Sequence, residues 1–423
     1  STWAPSFAQP YAGATWANGA RQAAFGPVVV MGGKADSFLR EKAGAVAYPS
    51  SFRLRLPSRR ALGYLNATAG DGTETHSVLL NLDDSVDLPR LPRVGATDTA
   101  YGLATADALL HVDRANGSDV TGDGSAEKPY QSLQKAAAVA VTKGNGCVVY
   151  VRPGDYDNGT EMPASDCGTL RCRLAVKNPN SSIRFVAVEG PARTRILGQA
   201  DGTTGGLGDD AIRCVHAYSG TGKALVLSGF TFASGHSGAD AVDKDARGSV
   251  AYRGGLGALW LSDCVVTGCE SANGLLYQAN AVRCRFTSSL TLGGSIAAGG
   301  VIASSLAWGC GPDGNGSHYL ITGETRAYNV SVGRTSEKSF MSIGEVYNSV
   351  LDNGGDSGDI NGYGIENGGL HKHTLAYAVG GTPHTEAGGN QEGSVFGVRA
   401  GFADVGGGDL RLVACSLARG LAR

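Results

Sequence analysis

Two stretches of the 423-residue chain gather carboxylates among glycines, and both could do acid–base chemistry on a sugar. The first, residues 233–256, carries Asp240, Asp243 and Asp245 with His236, Lys244, Arg247, Tyr252 and Arg253. The second, 352–373, carries Asp352, Asp356, Asp359 and Glu366 with Tyr363, His371 and His373. A glycosidic bond is cleaved by two carboxyl groups that flank it, and their separation decides inversion or retention. A carboxylate cluster can instead hold Ca²⁺. A tyrosine ring offers a stacking face while neighbouring acids take sugar hydroxyls. On these grounds Asp356, Asp359 and Glu366 are the candidate catalytic residues. Asp240, Asp243, Asp245, Tyr252, Arg253 and Tyr363 are the candidate carbohydrate contacts. The plain alternative for either stretch is a polar turn whose acids are hydrated. His373 falls on a repeat position and reads as structural.

Positioning such loops needs a scaffold, and the sequence repeats one. Asp263-Cys264-Val265-Val266 is followed twenty residues later by Arg283-Cys284-Arg285-Phe286. Each is a short β-branched or aromatic run bounded by Gly, Asn and Ser, a strand signature. Similar runs follow at 304–307, 328–331, 348–351 and 372–375. Aligned on Cys264, Cys284, Ser305, Asn329, Ser349 and His373, the steps are 20, 21, 24, 20 and 24 residues. Gly229 fits one step earlier, at 35, so the first acidic stretch is an insertion. A recurring step of this size marks a solenoid of strands.

Bulk properties exclude several classes. The chain has 65 glycines without a G-X-Y period, so collagen is excluded and the glycines serve turns. Charged residues are 17% and the net charge is -2, which leaves no basic excess to neutralise phosphates, so no nucleic-acid partner is expected. No apolar run approaches the ~18–20 residues that span a bilayer, so no membrane insertion is expected. Nine cysteines, an odd number without a CxxC pair, argue against a disulfide framework and a zinc site. Cys264 and Cys284 share a repeat position and read as small apolar rungs inside the coil. The opening STWAPSFAQP has neither the charged segment nor the apolar run of a signal peptide.

Residues 1–108 do not share the repeat. Strands are expected at 26–31, 51–56 and 76–82, and the proline-punctuated 88–93 reads as a connector. The expectation is a small β-rich module, either a cap or an attachment domain, ahead of a solenoid over 109–423.

The entry to that solenoid is the most specific part of the chain. Leu110-His111-Val112 leads into a Gly/Asp loop, then Pro129-Tyr130-Gln131-Ser132-Leu133 and an Ala-rich helix over 134–140. Gly144-Asn145-Gly146 stops the helix, and Cys147–Val151 is a buried strand ending in Arg152-Pro153-Gly154-Asp155-Tyr156. This closely resembles the entry of right-handed parallel β-helix proteins of the pectate-lyase-like superfamily. The C-terminal Phe402-Ala403-Asp404, Asp409-Leu410-Arg411-Leu412 and Ser416-Leu417-Ala418-Arg419-Gly420 resemble the endings of the same family, with Leu417 where proline is usual. Asp113, Asn116, Asp119 and Asp123 look like a calcium loop but lack its register, and in this family such a loop is an ordinary turn.

The resemblance implies an all-β, single-stranded, right-handed parallel β-helix of about ten coils, with an N-terminal helix over its open end. At ~4.8 Å per layer it would be about 50 Å long. It also implies a carbohydrate-recognising protein, most simply a virion spike of tailspike type. That protein would bind a bacterial surface polysaccharide, acidic or neutral, as a homotrimer, with or without depolymerase activity. Residues 1–108 would then attach it to a larger virion assembly. The alternative is a secreted polysaccharide lyase or glycoside hydrolase. No cofactor is expected, except Ca²⁺ if the protein is a lyase, and the location is virion or extracellular.

Overall fold

The computed structural model describes residues 108–353, except 145, 159–169, 219–221, 240–246, 255–256, 292–295, 313–318, 334–338 and 348, together with short strands on either side. The chain divides into two units, 1–100 with 422–423, and 101–421. In the first, two antiparallel hairpins are described: Glu41–Lys42 with Ala45–Val46, and Gly63–Thr68 with Thr75–Leu80. The last of these strands overlaps the one expected at 76–82. Those expected at 26–31 and 51–56 lie outside the described residues.

The second unit is built of large parallel sheets that the chain visits in a fixed order. Sheet 1 contains Ala108–Val112, Cys147–Val151, Ile183–Ala187, Ala224–Ser228, Ala258–Ser262 and Asn280–Val282. Sheet 2 runs from Gly154–Tyr156 through Thr194–Leu197, Thr231–Ala233, Val265–Thr267, Arg285–Thr287 and Leu306–Trp308 to Val395–Phe396. Sheet 3 contains Arg171–Lys177, Ile212–Tyr218, Ala251–Gly254 and Leu276–Tyr277. Sheets 1 and 3 meet at Ala297–Ala303, which pairs with both Leu276–Tyr277 and Asn280–Val282. Each strand pairs in parallel with strands one winding before and after. That topology is consistent with the expected β-helix.

In-register stacking makes columns of equivalent side chains, and one column of sheet 2 fills the interior. Tyr156, Ile196, Phe232, Val266, Phe286, Ala307 and Val332 follow one another across paired strands, all buried. Burial of such side chains contributes about 1.5–3 kcal/mol each, which is why a sheet of such short strands holds together. Cys264 and Cys284 are buried, free thiols in this core, as their shared repeat position required.

The turn from sheet 1 to sheet 2 is tight. From Gly229 onward it takes two residues, and the first has positive φ: Gly229, Asp263, Arg283, Ser304 and Asn329. The second residue is the true rung. The N–H groups of Val265, Arg285, Leu306, Ser331 and Val350 donate to the carbonyls of Phe230, Cys264, Cys284, Ser305 and Val330. The repeat is therefore one residue later than the sequence alignment at Gly229 and Asn329. His373 lies outside the described residues.

A helix, Leu133–Ala140, covers the first windings. The Ser132 side chain caps it by accepting the Lys135 N–H, and Leu133, Ala136, Ala137 and Ala140 are buried. Sheet 3 begins at Arg171–Lys177, whose outer edge would otherwise offer unpaired backbone groups. The Gln134 amide meets that edge, donating to the Ala175 carbonyl (3.3 Å) and accepting the Ala175 N–H (2.8 Å). The helix thus acts as a substitute strand at this point.

The loop ahead of the helix is held by its own carboxylates. Asp113 accepts the N–H groups of Ala115 and Asn116, Asp119 those of Gln131 and Ser132, and Asp123 that of Ser125. These bonds make it a turn. No helix among the described residues is long and apolar enough to cross a membrane.

Candidate functional site

The long connections share one crossing. Passing from sheet 2 to sheet 3, the chain runs through 157–170, 198–211, 234–250, 268–275, 288–296, 309–318, 334–338 and 354–362. Both acidic stretches of the sequence therefore leave the solenoid on the same edge. These eight connections hold fourteen Asp and Glu against four Lys and Arg, in a chain whose net charge is only -2. In sequence these connections are acidic, and the rest of the chain balances them.

Of the candidate residues, Asp240, Asp243 and Asp245 fall in 240–246, and Asp356 and Asp359 in 354–362, outside the described residues. Tyr363 and Glu366 bound a strand of sheet 3. Tyr252 and Arg253 lie in Ala251–Gly254, directly after the first insertion. Register places Tyr252, Tyr277, Ala298, Thr322, Ser342 and Glu366 in one column. Five strand spacings put Tyr252 and Glu366 about 24 Å apart. Carboxylates that cleave a glycosidic bond together stand about 5–9.5 Å apart. The strands that follow the two acidic stretches are thus farther apart than such a pair.

Beside the first insertion the column is aromatic. His216, Tyr252 and Tyr277 follow in register, with ring centroids 4.5 Å and then 5.3 Å apart. They alternate with Val215, Ala251 and Leu276 of the core, so they stand on the other face of the sheet. Two guanidinium groups lie over these rings, Arg213 over Tyr252 (5.3 Å) and Arg247 over Tyr277 (4.9 Å). Tyr252 is only 5% exposed, so its ring orders the stack, while Tyr277, Arg247 and Arg253 are half-buried. Arg253 donates to the Gly257 carbonyl (3.0 Å). Trp308, also half-buried, ends its strand just before connection 309–318.

His216 is fully buried, and burial with the nearby Arg213 charge pushes its pKa down to about 2. Arg213 Nη1 lies 3.1 Å from His216 Nδ1. Arginine only donates, so Nδ1 accepts and the neutral ring carries its proton on Nε2.

A second group converges from three successive windings. His236, in the first insertion, and Glu270, in the next connection, are joined by a parallel bridge. His236 Nδ1 lies 2.9 Å from the Ser234 carbonyl, an acceptor, so Nδ1 carries the proton. Nε2 faces Glu270 Oε2 at 3.6 Å, with the two side chains 12% and 21% exposed. The previous winding contributes Gly206, where a Cβ would lie 3.2 Å from Glu270 Oε2. Asp201 fixes that loop by accepting the N–H groups of Thr203, Thr204 and Asp210.

In the sequence His236 stands within an acidic stretch without a role of its own, and Glu270 and Gly206 do not stand out at all. Glu270 has no acidic neighbour in sequence. Only the shared crossing brings it to His236, and the signal that could have found it was the alignment of the connections on one edge.

No family model and no curated protein matches the chain. Among solved structures it is similar to a rhamnogalacturonan lyase, with TM-score 0.38 and 15% identity over 64% of this chain and 68% of that one. It is also similar to a GH136 lacto-N-biosidase from Eubacterium ramulus (TM-score 0.29, 11% identity, 67% of each chain). Another is ORF18 of Geobacillus virus E2 (TM-score 0.28, 11% identity, 68% of this chain and 60% of that one). Likeness at these scores carries no argument about chemistry.

Proposed function

We propose that the second unit is a right-handed parallel β-helix that binds a polysaccharide along its sheet 2–sheet 3 edge. The observation that carries the reading is the gathering of every connection from 157 to 362 longer than six residues on that crossing. Loops carry function where a rigid scaffold positions them. Half-buried Tyr277 and Trp308 beside this edge provide the amphipathic faces that sugars stack on. A site repeated at each winding suits a polymer of repeating units.

In this reading the protein is a virion spike, trimeric, anchored through residues 1–108, and Asp356, Asp359 and Glu366 serve cleavage if it is also a depolymerase. The test is retention of purified bacterial capsular and lipopolysaccharide O-chain polysaccharides, followed by sizing of the recovered glycan. Retention of at least one polymer is expected, and shortening would add depolymerase activity. Failure to retain any would contradict the reading. Light scattering that gives a monomer would remove the spike and leave the glycan site.

A further inference from the structure

Resting on that glycan reading, we propose that Arg247, Asn273 and Tyr277 form a subsite for a sugar residue that carries an anionic group, a carboxylate or a phosphate. A guanidinium keeps its proton at any working pH, so Arg247 is a fixed positive charge. It lies over the Tyr277 ring, 4.9 Å from the centroid. Among the described residues no carboxylate pairs with it, and its Nε is buried without an acceptor. The described acids of these windings are committed elsewhere. Asp201 holds its own turn, Glu270 faces His236, and Asp263 is gripped by Arg283. The planar fork of Arg247 matches the paired oxygens of a carboxylate or a phosphate.

The two neighbours suit the sugar that bears the anion. A parallel bridge sets Asn273 in register with Arg247, one winding on, so their side chains stand on one side about 4.8 Å apart. The Asn273 amide adds N–H donors beside the guanidinium. Tyr277 ends the ladder of rings, because the column continues from it to Ala298. Arg247, Asn273 and Tyr277 are each partly exposed, so a ligand reaches all three. Tyr277 offers it a hydroxyl and the apolar ring surface on which a sugar packs. The substrate class is accordingly a glycan with a negative charge in its repeating unit.

The experiment follows the Arg247 Nε–H resonance of the intact wild type, labelled with ¹⁵N at arginine and assigned by its loss in Arg247→Lys. Glucuronate, glucose 6-phosphate, glucose, acetate and inorganic phosphate are titrated in turn. The resonance should move with glucuronate, with glucose 6-phosphate or with both, and the stronger response tells carboxylate from phosphate. Glucose should leave it still, and the two free anions should move it less than the sugars that carry them. No movement with either charged sugar would overturn the proposal. An equal response to glucose, or to the free anions, would overturn it as well. Arg247→Gln and Tyr277→Ala should each weaken binding of an acidic polysaccharide retained by the wild type, the first about tenfold or more. Arg247→Lys keeps the charge without the fork and should fall between wild type and Arg247→Gln. Unchanged affinity in all three variants would overturn the subsite. Retention of neutral polymers alone would overturn the proposal and leave glycan binding standing. No retention of any polymer would overturn glycan binding itself.

Discussion

Asp263 and Arg283 occupy the same corner of successive windings, both at positive φ, and the guanidinium of one grips both carboxylate oxygens of the other. Ser262 joins them, donating to Asp263 (2.7 Å) and accepting from Arg283 (2.8 Å). Each corner costs backbone strain that glycine would avoid, and the contact offsets it. Asp263→Ala should destabilise the fold by about 2 kcal/mol, because Arg283 is mostly buried while Asp263 is two-fifths exposed, which discounts the pair. Asp263→Gly should be milder by about 1 kcal/mol, as it relieves the corner. Urea unfolding checks the order. An alanine variant as stable as the glycine variant would contradict it.

His216 makes stability depend on pH in a definite direction. Folded, it stays neutral down to about pH 2; unfolded, it takes up a proton below its ordinary value of about 6.5. Its contribution is therefore full above pH 6.5 and lost as pH falls, by about 1.4 kcal/mol per unit. His216→Gln should flatten the acid side of the stability curve by one proton. Parallel curves for variant and wild type would show that His216 titrates in the fold.

Gln134 closes the open edge of sheet 3. Gln134→Ala strips both groups from the Ala175 backbone and should cost about 1–3 kcal/mol. Hydrogen exchange at Ala175 should accelerate together with the loss. Exchange that stays slow would mean another group protects the edge.

The thiols of Cys264 and Cys284 are 1% and 2% exposed, and burial raises the Cys264 pKa well above its usual value. Neither should react with a water-soluble thiol reagent until the protein unfolds. Labelling of Cys264 or Cys284 in the native state would remove them from the interior.

Much of the scaffold was legible in the sequence because interior rungs are apolar and recur. The strands at Cys147–Val151 and Thr194–Leu197 follow from local pattern alone. The corners were not legible. Asp263 and Arg283 look like the first residues of strands, since pattern does not reveal that a charged residue takes positive φ beside its own partner. Burial of Arg184, Arg213 and His216 was equally hidden, as polar residues in an alternating strand read as solvent-facing. The acidic stretches were found by composition. The meeting of Gly206, His236 and Glu270 was not, because it depends on register between windings.

Which edge meets the glycan is the central claim, and hydrogen exchange with and without a retained polysaccharide measures it directly. Protection is expected in 198–211, 234–250 and 268–275, with no change at the opposite corners around Gly229, Asp263 and Arg283. Protection confined to those corners, with the three connections unaffected, would contradict it.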